Sequence, residues 1–191
     1  MSAAGHAAGI RVLCLDVDGV LTDGTVALDD MGHETKRFNV KDGLGIAVWR
    51  RLGGDVAVIT GRAGLAVRHR LEELGVRRLH AGVVDKAAAI SEVARDAGCH
   101  LSQVAFVGDD LPDLAAMRRC GYPVAVHDAA PEVRAAAAYV TSAHGGHGAV
   151  REVVEHLLRS QDRWNDALAM FDPAAGTGRA PEAGSDRPRS A

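Results

Sequence analysis

The segment Ile10-Arg11-Val12-Leu13-Cys14-Leu15-Asp16-Val17-Asp18-Gly19-Val20-Leu21-Thr22-Asp23-Gly24 joins a run of apolar residues to two acidic residues and a glycine. The apolar run predicts a buried β-strand. Carboxylates at the end of such a strand are usually paired or hold a metal ion. Because side chains two positions apart in a strand point the same way, we expect Asp16 and Asp18 to face one cleft. A solvated Asp-Gly turn would have a similar local sequence, so the rest of the chain decides.

Apolar runs alternate with amphipathic stretches along most of the chain. The predicted strands are 12–17, 56–60, 79–81, 104–108, 122–126 and 139–141. The predicted helices are 43–52, 65–74, 86–97, 111–119, one after Pro131 and one from about 149 to 159. This alternation predicts an α/β fold, a doubly wound parallel sheet with helices on both faces. Residues 25–40 interrupt it and predict a β-hairpin around residues 29–32.

Length and composition indicate one domain with an aliphatic core. The chain has 191 residues, of which 47% are hydrophobic and only 4% aromatic, and this length fits a single core. We expect a flexible N-terminus over 1–9, one domain over 10–160 with the hairpin at 25–40, and a disordered tail over 161–191. The net charge of −3 gives no reason to expect nucleic acid or a membrane as a partner.

The termini and the cysteines predict a cytoplasmic location. Residues 1–9 lack the basic and apolar regions of a signal peptide, and no stretch is long enough to span a bilayer. Cys14, Cys99 and Cys120 are scattered, odd in number and without metal-binding spacing. Free thiols in a reducing compartment are therefore expected.

Polar residues follow the predicted strands where the strands end. Asp16 and Asp18 follow the first strand, residues 60–62 (Thr-Gly-Arg) the second and residues 108–110 (Gly-Asp-Asp) the fourth, and Lys86 opens the helix after the third. In a doubly wound sheet, ligands bind at the carboxyl ends of the strands. Scattered surface charges would not be expected to fall at these ends so consistently.

These residue types support phosphoryl transfer. Clustered carboxylates are hard oxygen ligands suited to Mg²⁺, and the Thr60 hydroxyl, the Gly61 amide and Lys86 are donors that hold phosphoryl groups. An aspartate could then attack phosphorus and form an aspartyl-phosphate, which water hydrolyses. A second acid nearby could protonate the leaving alkoxide and later activate that water.

The motifs, in this order, resemble those of a known superfamily. Residues 16–19 (Asp-Val-Asp-Gly), Thr60, Lys86 and residues 108–110 resemble the four motifs of the haloacid dehalogenase superfamily of phosphohydrolases. Further segments resemble the 3-deoxy-D-manno-octulosonate 8-phosphate phosphatase group, which includes phosphatases of nine-carbon keto-sugar acid 9-phosphates; they are residues 18–24, 36–43, 59–62 and 145–152. The resemblance covers residues 10–158 and implies a Rossmann-like sheet with a small hairpin in place of a cap domain.

The resemblance implies roles for individual residues. Asp16 would be the nucleophile and Asp18 the general acid/base, and Thr60 and Lys86 would hold the transferring phosphoryl group. Mg²⁺ would be bound by Asp16, the main-chain carbonyl of Asp18, and Asp109. Asp110 would lie in the outer shell of the metal. The reaction implied is Mg²⁺-dependent hydrolysis of the phosphate monoester of a 3-deoxy keto-sugar acid. A nine-carbon acid phosphate or another sugar phosphate is the alternative substrate.

The resemblance also implies a homotetramer in which a neighbour's hairpin and C-terminal segment close the site. Residues 25–40 and 145–148 match those parts. Substrate contacts are expected from Gly61, Arg62, Asp42, Gly145, Gly146 and Gly148. The alternatives are a surface salt bridge for Arg62 and a cap on the next helix for Asp42. His147 and Arg78 are left open as further contacts, and Asp113 is assigned to the start of a helix.

Two other functions are alternatives to a phosphatase. A receiver-type signalling domain also uses clustered acids, threonine and lysine on a parallel sheet. A receiver places an acid pair after its first strand, its acceptor aspartate after the third and its lysine after the fifth. Here the Asp-x-Asp comes first and the Asp-Asp pair comes after the lysine, so the motif order does not fit a receiver. A regulatory relative without activity would be expected to lack motif residues, and all of them are present.

Overall fold

One parallel sheet organises the protein, whose computed structural model describes residues 7–62 and 64–172. The strands are β1 (Val12–Leu15), β2 (Ala27–Leu28), β3 (Glu34–Thr35), β4 (Asp55–Thr60), β5 (Arg78–Ala81), β6 (Val104–Gly108), β7 (Tyr122–Ala125) and β8 (Tyr139–Val140). Six of them form the sheet in the order β5-β4-β1-β6-β7-β8, with every neighbouring pair parallel. Strand order reverses at β1, and this reversal opens a crevice at its carboxyl end.

Helices connect the parallel strands. They are α1 (Val40–Arg51), α2 (Leu65–Glu73), α3 (Lys86–Asp96), α4 (Leu114–Met117), α5 (Pro131–Ala136), α6 (Ala149–Ser160) and α7 (Trp164–Ala169). α1 packs against α6, and α3 packs against α4. The predicted α/β fold with a doubly wound parallel sheet is confirmed.

The core is aliphatic, as the composition predicts. All four residues of β1 are buried, and so are all five of β6. Burying a Val or Leu side chain contributes about 1.5–3 kcal/mol. Trp49 is also buried, and its indole Nε1 donates to the Asp55 carbonyl at 3.0 Å. This bond ties α1 to the start of β4.

The predicted helix over 111–119 is shorter than expected. Residues Leu111–Asp113 form a 3₁₀ turn, and only Leu114–Met117 are α-helical. The reason is the Asp113 carboxylate, which turns back to accept from the Asp109 amide at 2.9 Å and the Asp110 amide at 3.3 Å. These bonds tighten the first turn.

The predicted hairpin is present. β2 and β3 pair antiparallel, and the Asp29 carboxylate accepts from the amides of Met31 (2.9 Å) and His33 (2.8 Å) in the connecting turn. Gly32 lies in this turn at φ +81°, a value that favours glycine. Leu28 and Met31 are exposed at its tip.

The terminal segments differ from the prediction in part. Residues 164–169 of the expected disordered tail form α7, and Trp164 lies beneath the guanidinium of Arg159 at 4.7 Å from the ring centroid. At the other end, Ala7 is buried. Residues 1–6 and 173–191 lie outside the described residues. Within the described ranges, no helix combines the length and apolar character that a membrane span requires.

Candidate active site

A cleft of about 520 Å³ lies at the carboxyl ends of the sheet strands. Eight of the predicted site residues line it, namely Asp16, Asp18, Thr60, Gly61, Arg62, Lys86, Asp109 and Asp110. They come from the loops after β1, β4 and β6 and from the first turn of α3. These segments are far apart in sequence but adjacent in the sheet, and parallel strands end at the same edge.

Asp16 and Lys86 form a buried ion pair in the cleft. The Asp16 amide donates to the Val107 carbonyl at 3.1 Å, which extends the β1–β6 pairing to this residue. The Asp85 carboxylate caps α3 by accepting from the amides of Ala87 and Ala88. This cap fixes the first turn of α3, and Lys86 Nζ lies 3.0 Å from Asp16 Oδ2.

Asp113 is a member of the site that the sequence analysis missed. It is 1% exposed, and its Oδ1 accepts from Lys86 Nζ at 2.6 Å. Its Oδ2 accepts from the amides of Asp109 and Asp110. The assignment to a helix start was therefore too narrow, because the same carboxylate orients Lys86 and holds the Asp109-Asp110 backbone. The sequence feature that could have indicated this role is an acidic residue four positions after Asp109.

The cleft concentrates negative charge. Burial, followed by the nearby Asp113 carboxylate, raises the pKa of Asp16 to about 6. Burial, with Asp113, Asp16 and Asp110 adding to it, raises the pKa of Asp109 to about 8. Burial alone would lower the pKa of Lys86, but Asp16 and Asp113 together raise it above its ordinary value. Lys86 is therefore a cation at neutral pH. Its single positive charge does not neutralise the several carboxylates around it.

The donor set fits a divalent metal. Carboxylate oxygens of Asp16, Asp109 and Asp113 lie within 4.8 Å of one another. Both oxygens of Asp113 are already hydrogen-bonded, so Asp16 and Asp109 are the available ligands. The Asp110 carboxylate lines the cleft but lies outside this cluster and accepts from the Leu111 amide at 2.8 Å. Hard oxygen ligands of this kind suit a divalent cation such as Mg²⁺.

Glycine is required beside this cluster. Gly19 has φ +85°, and a Cβ atom there would overlap the Asp109 carboxylate. The Asp-Gly pair after β1 is therefore needed for the close approach of the loop to Asp109.

Thr60, Gly61 and Arg62 form the opposite rim of the cleft. Thr60 is buried, and its Oγ1 accepts from the Arg62 amide at 3.2 Å. Gly61 and Arg62 are exposed. The Arg62 guanidinium pairs with Glu34 Oε1 at 3.0 Å, and its Nε lies 3.7 Å from Asp18 Oδ2.

The hairpin supplies two charged groups to the cleft that sequence reasoning did not single out. Lys36 Nζ donates to Asp18 Oδ1 and lies 3.0 Å from Glu34 Oε1. Together with Arg62 these residues form a cluster of two acids and two bases at the mouth of the site. In the sequence, Lys36 is notable only as part of a segment that resembles the family. The alternation of strands and helices does not indicate where an inserted hairpin docks.

Asp42, a predicted substrate contact, does not line the cleft. Asp42 is 1% exposed, and its carboxylate accepts from the amides of Gly148 (3.2 Å) and Arg151 (2.8 Å). It therefore caps the N-terminus of α6, which lies more than a hundred residues later in the chain. The predicted alternative was a cap on the next helix, whereas the helix that Asp42 caps is α6.

Gly145, Gly146 and Gly148 do not line the cleft within one chain. The Gly146 amide donates to the Val20 carbonyl at 2.9 Å, and a Cβ atom at Gly145 would overlap the Gly19 carbonyl. Gly145 and Gly146 therefore pack against the loop that carries Asp18, whereas the Gly148 amide donates to the Asp42 carboxylate. Contact of these glycines with substrate stays a prediction.

The two residues left open by the sequence have partners within the chain. Arg78 pairs with Asp55 Oδ2 at 2.7 Å and donates to the Asp96 carbonyl at 3.1 Å. His147 is exposed, and its Nδ1 lies 2.7 Å from the Gly145 carbonyl. Neither side chain lines the cleft.

Comparison with known proteins identifies the family. The haloacid dehalogenase-like hydrolase model matches residues 79–153. The 3-deoxy-D-manno-octulosonate 8-phosphate phosphatase KdsC of Yersinia pestis is 43% identical over 165 residues, 86% of this chain and 88% of that protein. KdsC of Escherichia coli K12 is 44% identical over 161 residues, 84% and 86% of the two chains.

Solved structures have the same fold. The Yersinia pestis phosphatase covers 84% of this chain and 87% of its own, at 43% identity and a TM-score of 0.83. The Moraxella catarrhalis phosphatase, solved in complex with magnesium, phosphate and a KDO molecule, covers 88% and 97% at 39% identity and a TM-score of 0.86. The chain therefore belongs to the haloacid dehalogenase-like hydrolases and, within them, to the 3-deoxy-D-manno-octulosonate 8-phosphate phosphatase family, which makes it a phosphoric monoester hydrolase.

Proposed function

We propose that the protein hydrolyses 3-deoxy-D-manno-octulosonate 8-phosphate through an aspartyl-phosphate on Asp16, with Mg²⁺ as cofactor. The observation that carries the proposal is the buried Asp16–Lys86 pair at the carboxyl end of β1, in a chain 43% identical to a phosphatase named for this substrate. The Mg²⁺ and KDO named for the Moraxella catarrhalis structure support the same assignment.

In the first half-reaction Asp16 is the nucleophile. One of its carboxylate oxygens attacks phosphorus and forms the acyl-phosphate bond, while the bond from phosphorus to the sugar oxygen breaks. Lys86 and the Thr60 hydroxyl, with the Gly61 amide, hold the phosphoryl oxygens. Asp18 donates a proton to the leaving sugar oxygen.

In the second half-reaction Asp18 acts as a base. It takes a proton from a water molecule, whose oxygen attacks phosphorus and releases inorganic phosphate. Asp16 is regenerated as a carboxylate. Because Asp113 holds Lys86, the lysine stays in place through both steps.

The metal would be held by Asp16, the Asp18 carbonyl and Asp109, with Asp110 in the outer shell. When bound, Mg²⁺ supplies positive charge that offsets the repulsion between the Asp16 carboxylate and the phosphate dianion. Asp113 positions Lys86 and the Asp109-Asp110 backbone beside this metal site and is not counted among the ligands.

Mg²⁺ is expected to raise the Tm of EDTA-treated protein more at about pH 9 than at about pH 5.5, because metal binding requires ionised carboxylates. With pKa values of about 6 for Asp16 and about 8 for Asp109, protons compete with the metal below pH 8. Without metal, the two protonated carboxyl groups favour the folded state at low pH. This contribution to the free energy of unfolding is lost as the pH rises through about 6 for Asp16 and about 8 for Asp109. Thermal unfolding with and without Mg²⁺ measures this, with Asp109→Asn as the control. A Tm shift of equal size at both pH values, or one retained in Asp109→Asn, would contradict the metal site.

Phosphate release tests the substrate. The panel consists of octulosonate 8-phosphate, a nine-carbon keto-sugar acid 9-phosphate, hexose phosphates and a nucleotide, each with Mg²⁺. We expect kcat/KM to be highest for octulosonate 8-phosphate. A higher value for the nine-carbon substrate would keep the chemistry and reassign the substrate, and no release from any member would reject the proposal.

The homotetramer and the cytoplasmic location belong to the same proposal. Exposed apolar side chains on and beside the hairpin support closure of the site by a neighbouring subunit; they are Leu28, Met31 and Val40. Cys14, Cys99 and Cys120 are free thiols, which is compatible with a reducing compartment.

A further inference from the structure

The hairpin carries a buried cation. The Lys36 side chain is only 2% exposed, although residues 25–33 of the same hairpin are exposed. An ammonium group removed from water is costly unless it is paired. Its partners are carboxylates on two different segments, Asp18 in the loop after β1 and Glu34 in β3.

The two oxygens of Asp18 have different environments. Oδ1 accepts from Lys36, whereas Oδ2 is buried and makes no hydrogen bond within the described part of the chain. The Arg62 Nε atom lies 3.7 Å from Oδ2, beyond hydrogen-bond range. Lys36 therefore fixes the carboxylate through one oxygen, and the other oxygen is left without a hydrogen-bond donor among the described residues.

We propose that Lys36 is a positioning residue, which holds Asp18 Oδ1 so that Oδ2 exchanges the proton with the leaving sugar oxygen. The inference rests on the proposed acid/base function of Asp18. Small errors in the placement of a catalytic group cost large factors in rate. A hairpin that anchors the acid/base makes proton transfer depend on the docking of the hairpin.

Glu34 keeps Lys36 in place. Its carboxylate contacts both Lys36 and Arg62 at 3.0 Å, so it links the two cations that flank Asp18. Hydrogen bonding from Lys36 is the main influence that lowers the pKa of Glu34. The cluster thus joins β3, the loop after β1 and the loop after β4.

The test is a double-mutant cycle on kcat/KM, which reports the steps up to departure of the leaving group. Lys36→Met is expected to lower kcat/KM for octulosonate 8-phosphate by about 100-fold, a typical contribution of general acid catalysis. In Asp18→Asn the same lysine substitution is expected to have no further effect, because Lys36 acts through Asp18. Lys36→Arg should recover part of the loss, and Lys41→Met, which removes an exposed lysine at the start of α1, should leave kcat/KM unchanged.

A pair of aryl phosphates separates positioning from a loss of shape. Phenyl and p-nitrophenyl phosphate differ little in size, but nitrophenolate departs without a proton. Lys36→Met should therefore lose much more activity on phenyl phosphate, as should Asp18→Asn. Equal losses on both substrates, or additive losses in the double variant, would overturn the inference while the role of Asp18 stands. An Asp18→Asn variant with normal kcat/KM on phenyl phosphate would overturn both.

Discussion

Asp16→Asn is expected to lower kcat for phosphate release by at least about 10⁴-fold while the protein stays folded. Removing the nucleophile of a covalent mechanism leaves only binding and the remaining electrostatic stabilisation. The fold should tolerate the change because the pKa of Asp16 is raised to about 6. A carboxylate with a raised pKa is destabilising at pH 7, so the amide should unfold at the same temperature or a higher one.

The measurement combines phosphate release, thermal unfolding and mass spectrometry of the acid-quenched protein. A phosphoryl adduct on Asp16 should be present in the active enzyme and absent from the variant. Asp96→Asn serves as a matched control, because Asp96 is exposed at the end of α3 opposite to Lys86 and its substitution should leave kcat unchanged. Near-normal turnover by Asp16→Asn would contradict the covalent mechanism.

Lys86→Met is the second large effect, with an expected loss of about 10³-fold in kcat/KM and about 3 kcal/mol in the free energy of unfolding. The activity falls because the phosphoryl group loses a charged donor. The stability falls because Asp16 and Asp113 stay buried without their shared cation. Asp16 can regain neutrality by binding a proton, so the stability loss should be larger at about pH 8 than at about pH 5.

The chain contains three lysines, and Lys41 provides the control because it is exposed at the start of α1. Lys41→Met removes the same charge and should change neither quantity. Chemical denaturation at the two pH values gives the stability, and steady-state kinetics gives kcat/KM. If Lys86→Met unfolds with the same free energy at both pH values, the buried charge cluster is not as described.

Much of the site could be predicted because the sheet determines where it lies. Asp16 and Asp109 each follow a central parallel strand and Thr60 is the last residue of another, and these strands end at one edge of the sheet. Strand order alone therefore brings together residues that are far apart in sequence. Lys86 follows the same rule through the helix after β5.

The remaining residues depend on contacts that no periodic pattern encodes. Asp113 faces back toward Lys86 across a 3₁₀ turn, and Lys36 arrives on an inserted hairpin. The cap that Asp42 forms on α6 could not be predicted, because a position within one helix gives no indication of which distant N-terminus its side chain caps. Each of these side chains is determined by tertiary docking and not by local sequence.

The bonds from Asp42 to Gly148 and Arg151, and from Gly146 to Val20, have a consequence for the order of folding. They close loops of more than a hundred residues. Closing such a loop has a larger entropic cost than local pairing, so these contacts form more slowly. The loop that carries Asp18 therefore acquires its final support only after α6 has docked. During synthesis the strand that precedes Asp16 emerges early, but we expect the chain to become competent for catalysis only when α6 has left the ribosome.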